Sequence, residues 1–152
     1  MGKRRRAREL AVQVLFHLEF SHDDPSEVFD LICENFEASE SIREFSKMLV
    51  LGVCGKKESL DKTISQASKN WRIDRMARLD RSILRLAAFE ILFVPEIPAR
   101  VSLDEAVEIG KKFGSEDSGR YINGVLDNIY NTLINEECND TETTEGVTED
   151  EI

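Results

Sequence analysis

Apolar side chains recur along this chain at intervals of three and four and almost nowhere at every second residue, so it reads as a succession of helices without a convincing strand. Leu10, Ala11, Val14, Leu15 and Leu18 make the first stripe. A second helix starts at Pro25 behind Asp24 as N-cap, with Val28, Phe29, Ile32 and Phe36 facing inward. Ser41 and Glu44 have the spacing of a capping box and predict a long helix through Phe45, Met48, Leu49, Leu60 and Ile64, bent at Gly52 or Gly55. The chain turns around Trp71. The stretch MARLDRSILRLAAFEILF, Met76 to Phe93, is apolar nearly all round, the pattern of a helix enclosed by others, and is the expected central column. Two prolines make PEIPAR, residues 95–100, a connector. Ser102 and Glu105 predict a capping box for a short helix ending at Gly114. Glu116 then opens a last helix carrying Tyr121, Ile122, Val125, Leu126, Ile129, Tyr130 and Leu133. The expected fold is all-α, six or seven helices in one domain over residues 1–135.

Charge divides the chain in two. The net charge of the 152 residues is −10, yet eight of the 30 acidic side chains lie between Glu136 and Ile152, where there is no Lys or Arg. That leaves 22 acidic against 20 basic side chains in the body, which is nearly neutral. Residues 136–152 have almost nothing to bury and are expected to be a disordered acidic tail. On the near-neutral body, Lys3, Arg4, Arg5, Arg6 and Arg8 form a positive pole able to concentrate polyanions. The acidic total therefore does not exclude a nucleic-acid partner. Cys33, Cys54 and Cys138 are far apart, without CxxC spacing, and suggest neither a disulfide frame nor a metal site. No apolar run is long enough to span a membrane, and Gln13, His17 and Glu19 interrupt what would be a signal peptide's apolar stretch; the expected location is cytoplasmic.

Helical wheels show what the core leaves over. On the first helix Arg5, Val12 and Phe16 fall opposite the apolar stripe, with Glu9 and Phe20 near them. An outward aromatic beside arginines suits single-stranded nucleic acid, which needs charge for its phosphates and a ring for an unstacked base. Packing of Phe16 against another helix, with the arginines merely solvated, is the competing reading. The last helix leaves Asp117, Arg120, Gly124 and Asp127 along an outer strip, and Gly124 implies tight packing by a neighbouring helix or close approach of a partner. On the central helix Arg78, Arg81 and Arg85 share a face, while Glu90 falls on the buried side and must be paired, an anchor rather than a catalytic acid. No nucleophile, phosphate loop, cofactor site or metal site emerges, so an enzyme is not expected.

Three stretches in this order, RRRARELAVQVLF at 4–16, DRSILRLAAFEIL at 80–92 and VSLDEAVEIGKKFGSEDSGRYINGVLDNI at 101–129, resemble the NusB family of bacterial transcription antitermination factors. The likeness spans residues 3–134. It implies two small packed helical bundles, no catalytic activity and no cofactor. It further implies binding to boxA RNA of nascent ribosomal RNA transcripts together with the small-subunit ribosomal protein that serves as NusE, and assembly with RNA polymerase, NusA and NusG. Carried onto this chain, the RNA contacts are Lys3, Arg4, Arg5, Arg6 and Arg8 for phosphates, Phe16 for a base, and Phe113, Asp117 and Arg120 near the last turn. The partner surface is placed loosely on Arg78, Arg81 and Arg85. The acidic tail departs from the family pattern. Some relatives dimerise through the RNA-binding side, so a homodimer, or a protein–protein adapter with incidental RNA contact, is the alternative.

Overall fold

Helices form where the periodicity places them in the computed structural model, which describes residues 2–69 and 72–133, and no strand occurs among these residues. The elements are α1 (Gly2–Leu18), α2 (Pro25–Cys33), α3 (Glu40–Gly55), α4 (Lys57–Ala67), a 3-10 turn (Ile73–Arg75), α5 (Arg78–Phe93) and α6 (Ala99–Phe113). A seventh helix, α7, covers residues 118–133. Trp71 and the acidic tail lie outside the described residues.

Helix boundaries follow local chemistry, in three places differently from expectation. Asp24 caps α2 as expected, accepting from the Glu27 N–H at 3.2 Å, with Pro25 in the first turn where its missing donor costs nothing. The cap of α3 is Ser39 rather than Ser41: its hydroxyl accepts from the Ile42 N–H at 3.4 Å. The expected long helix is two helices. Lys56, at φ −115° and ψ 16°, ends α3 and begins α4, one residue beyond the poor helix former Gly55. Gly52 does not bend the chain but lets α3 approach α5, since a Cβ there would stand 2.1 Å from Phe89 Cζ. Finally, α6 starts at Ala99 behind Pro98, so Ser102 and Glu105 are no capping box. Both are diverted to longer-range partners.

Packing gives two small bundles sharing one core. In the first, α1, α2 and α3 pack on one another; in the second, α5 packs on α4 and α6, and α1 and α3 both lean on α5. The central column was correctly expected: from Ser82 to Ile91 every residue of α5 is buried. Ile122, Val125, Leu126 and Ile129 of α7 close the core. Because α1 touches three helices, its buried sector is wider than a surface helix would have, and Val12, expected outward, is buried.

Two largely buried ionic clamps tie the α1 segment to the second bundle. Glu90, 1% exposed, receives Arg8 Nε at 3.0 and 2.9 Å, Arg8 Nη2 at 2.7 Å and the Ser102 hydroxyl at 3.0 Å. A carboxylate in an apolar column persists only with such pairing. At the other end of α1, Glu19 accepts from Arg81 and Arg85, and Arg85 also reaches Asp61 of α4 at 2.7 Å.

Candidate nucleic-acid interface

The basic start of α1 fans out over its neighbours. Arg5 extends along α6 to Glu105, with Nε and Nη2 at 2.7 and 2.9 Å from the two carboxylate oxygens. The hydrogen bonds and charge of Arg5 hold the Glu105 carboxyl below its usual range. Arg4 lies over the Phe45 ring, 5.1 Å from its centroid, and Arg6 over Phe36 at 4.3 Å while donating to the Glu37 carbonyl at 2.8 Å. Lys3, Arg4, Arg5 and Arg6 are all exposed. Arg8 is not: at 3% exposure its guanidinium is spent on Glu90, and the expectation that it contacts phosphate is corrected. The same helix face that points arginine inward also supplies the buried Glu90 with its counter-charge.

Further along α1, beyond the half-buried Glu9, the exposed side carries Phe16, and Phe20 follows just past the helix end. Lys112 of α6 donates to Glu9 at 3.0 Å and sits over the neighbouring Phe113 ring at 5.0 Å. Phe16, 37% exposed, meets the Phe20 ring edge to face, centroids 5.1 Å apart. Phe16 therefore faces outward. The seam between α1 and α6 is a shallow groove of about 330 Å³ lined by Arg5, Glu9, Glu108, Ile109, Lys111 and Lys112; Phe113 lies at the end of α6, with its ring under Lys112.

Phe113, 45% exposed, ends α6 at this seam. The tight passage to α7 depends on Gly114, where a Cβ would stand 2.4 Å from Ser118 Oγ and 2.7 Å from the Gly110 carbonyl oxygen. The Ser118 hydroxyl accepts from the Ser115 N–H at 2.9 Å, fixing the turn. Asp117, immediately before α7, and Arg120 on its first turn are exposed; a carboxylate at that helix start favours the helix dipole. Gly124 is exposed with open space where a Cβ would stand, so packing by a neighbouring helix does not explain it.

The three arginines of α5 separate. Arg81 and Arg85 are nearly buried, their side chains 12% and 10% exposed, and both are committed to carboxylates of this chain. Burial pushes the Glu19 carboxyl up, but the Arg81 hydrogen bond and the charges of Arg85, Arg81 and Lys57 outweigh it and leave it below the usual range. Neither arginine is available as the partner surface expected of it, because Glu19, in the turn after α1, and Asp61 of α4 claim them. Arg78 alone of the three is exposed, over the Phe20 ring at 4.5 Å. Lys112 is the residue here that the sequence did not single out; Phe20, expected near the outward face of the first helix, was not assigned a contact. No cluster of ligating side chains fit for a metal occurs among the described residues, and none of their helices is long and apolar enough to cross a membrane.

A family model described as the NusB family matches residues 5–131, most of the chain. The chain belongs to the NusB family. Similar relatives agree: the transcription antitermination protein NusB of Desulfatibacillum aliphaticivorans is 46% identical over 137 residues, 90% of this chain and 96% of that protein. The NusB of Desulforapulum autotrophicum is 49% identical over 131 residues, 85% and 92% of the two chains. Among solved structures, NusB of T. maritima aligns with a TM-score of 0.77 at 35% identity, covering 83% of this chain and 89% of that one. A structure of the antitermination factors NusB and NusE in complex with dsRNA aligns with a TM-score of 0.79 at 28% identity, covering 87% and 98%. The NusB match begins at Arg5, within the basic start, and runs past Phe113, Asp117 and Arg120. All the seam residues except Lys3 and Arg4 thus fall inside the family region.

Proposed function

We propose that this chain is a transcription antitermination factor, a non-catalytic cytoplasmic protein that binds boxA RNA of nascent ribosomal RNA transcripts together with the ribosomal protein acting as NusE, and joins RNA polymerase with NusA and NusG. The observation that carries the reading is the α1–α6 seam, where exposed Lys3, Arg4, Arg5 and Arg6 lead to outward Phe16 and to Phe113. Asp117 and Arg120 extend it onto α7. Cations position a single strand by its phosphates, and rings hold its splayed bases. The naming of its relatives and the solved assembly of NusB and NusE with RNA support the same assignment.

A few cations and rings cannot read a whole RNA element alone, so the ribosomal partner is expected to complete the surface. Linkage then requires RNA to tighten the protein pair by the factor by which the pair tightens RNA. Labelled boxA and a scrambled RNA are titrated with this chain, with NusE and with both. A gain of at least about tenfold, 1.4 kcal/mol, for boxA with both proteins, and much less for the scrambled strand, is expected. Equal gains, or none, would favour a protein–protein adapter or a homodimer whose RNA contact is incidental.

A further inference from the structure

Phe20 is the largest departure from ordinary burial at this end of the molecule: 59% exposed, in edge contact with Phe16, itself 37% exposed. A single exposed aromatic needs no explanation, but two touching rings form a surface that water solvates poorly. Over Phe20 lies the Arg78 guanidinium, 4.5 Å from the ring centroid. No ion pair to Arg78 occurs among the described residues, and the obvious local carboxylate, Glu19, is turned inward onto Arg81 and Arg85. The positive charge here is therefore uncompensated, set over an aromatic ring on an exposed residue.

From this cluster we infer that Phe16, Phe20 and Arg78 together form a base-stacking subsite for one unstacked nucleotide of single-stranded RNA, with Arg78 serving both as a stacking plane and as a phosphate donor. The inference rests on the RNA-binding reading above and extends it beyond Phe16. A guanidinium is planar, weakly hydrated and always charged, so a base can stack on its free face while its edge donors reach a phosphate. Charge and continuity favour nucleic acid over a protein partner. The cluster lies at the far end of the helix whose start carries the exposed Lys3, Arg4, Arg5 and Arg6, and its only free charge is positive. The Arg78–Phe20 cation–π contact also restrains the ring before any ligand arrives, so less ordering is required on binding.

The test measures binding of a short labelled single-stranded boxA RNA, with NusE present, to the full chain and to Phe20→Ala, Arg78→Ala and Arg78→Lys. Phe20→Ala is expected to weaken binding by about fivefold or more with no change in salt dependence. Arg78→Ala weakens it similarly and lowers the slope of log K against log salt by about 0.7, the share of one phosphate contact. Arg78→Lys restores the slope but not the affinity, since an ammonium offers charge without a plane. RNAs with one base removed at a time identify the nucleotide: at one position the abasic strand binds wild type as weakly as Phe20→Ala, and the variant loses nothing more. Wild-type affinity in both alanine variants would overturn the subsite while leaving RNA binding intact. Weakening of the NusE pair by the same factor without RNA would overturn it in favour of a protein contact, and a wild-type chain that binds no RNA would overturn both readings.

Discussion

Arg8→Met provides the sharpest perturbation of the framework that positions the seam. The substitution leaves Glu90, 1% exposed at the centre of α5, with the Ser102 hydroxyl as its one remaining hydrogen-bond partner and no counter-charge. The guanidinium supplies three contacts between 2.7 and 3.0 Å through two nitrogens. Breaking a buried pair from one side costs about 3–5 kcal/mol, a large share of the roughly 5–15 kcal/mol that holds an ordinary domain together. The thermal midpoint should fall by roughly 10–20 °C. Arg8→Lys should not rescue it, because one ammonium cannot replace the bidentate fork. The double variant Arg8→Met with Glu90→Leu removes both charges and leaves only Ser102 short of a partner, so its loss should stay within about 2 kcal/mol. Urea unfolding of the two single variants and the double variant gives the coupling directly. The same proteins, assayed per folded molecule, should keep the wild-type salt slope for RNA. A loss under about 1 kcal/mol for Arg8→Met, or a flattened slope, would refute the assignment of Arg8 to the core.

Three further outcomes follow from the geometry. Deleting residues 2–6 should flatten the salt dependence of RNA binding by up to about 3 in slope, about 0.7 for each of four exposed cations; an unchanged slope would mean that the positive pole serves another ligand. Phe16→Ala should leave the thermal midpoint nearly unchanged and cost about 1–3 kcal/mol of RNA binding, whereas a buried ring would cost about 3–5 kcal/mol of stability. Glu19, whose folded carboxyl is held below its usual value, contributes stability that is complete above about pH 4.3 and is lost as pH falls through the lowered value. Urea midpoints measured against pH should show that loss in the wild type and not in Glu19→Gln.

Periodicity alone located most of the helices, because α1, α2, α5 and α7 bury apolar stripes that repeat every three to four residues. Outward Phe16 and exposed Arg120 were legible for the same reason: a wheel shows what one helix leaves uncovered. What a wheel cannot show is which other helix stands opposite. Arg8, Arg81 and Arg85 look like surface cations in their own segments, and only the partners Glu90, Glu19 and Asp61, 24 to 82 residues away, turn them into clamps. Ser102 and Glu105 have the spacing of a cap, yet their real partners, Glu90 and Arg5, come from other helices. Of the two glycines at which a bend was expected, Gly55 lies beside the break at Lys56, whereas Gly52 is small in order to admit Phe89.

The central claim, that RNA runs along the α1–α6 seam and onto α7, is tested most directly by photo-crosslinking. Labelled boxA RNA is crosslinked in the complex with NusE, and the attached peptides are mapped by mass spectrometry. The account predicts crosslinks within residues 3–20 and 113–120, with the aromatic adducts at Phe16 and Phe113. Crosslinks confined to the outer face of α2 and α3, with the seam unmodified, would contradict it.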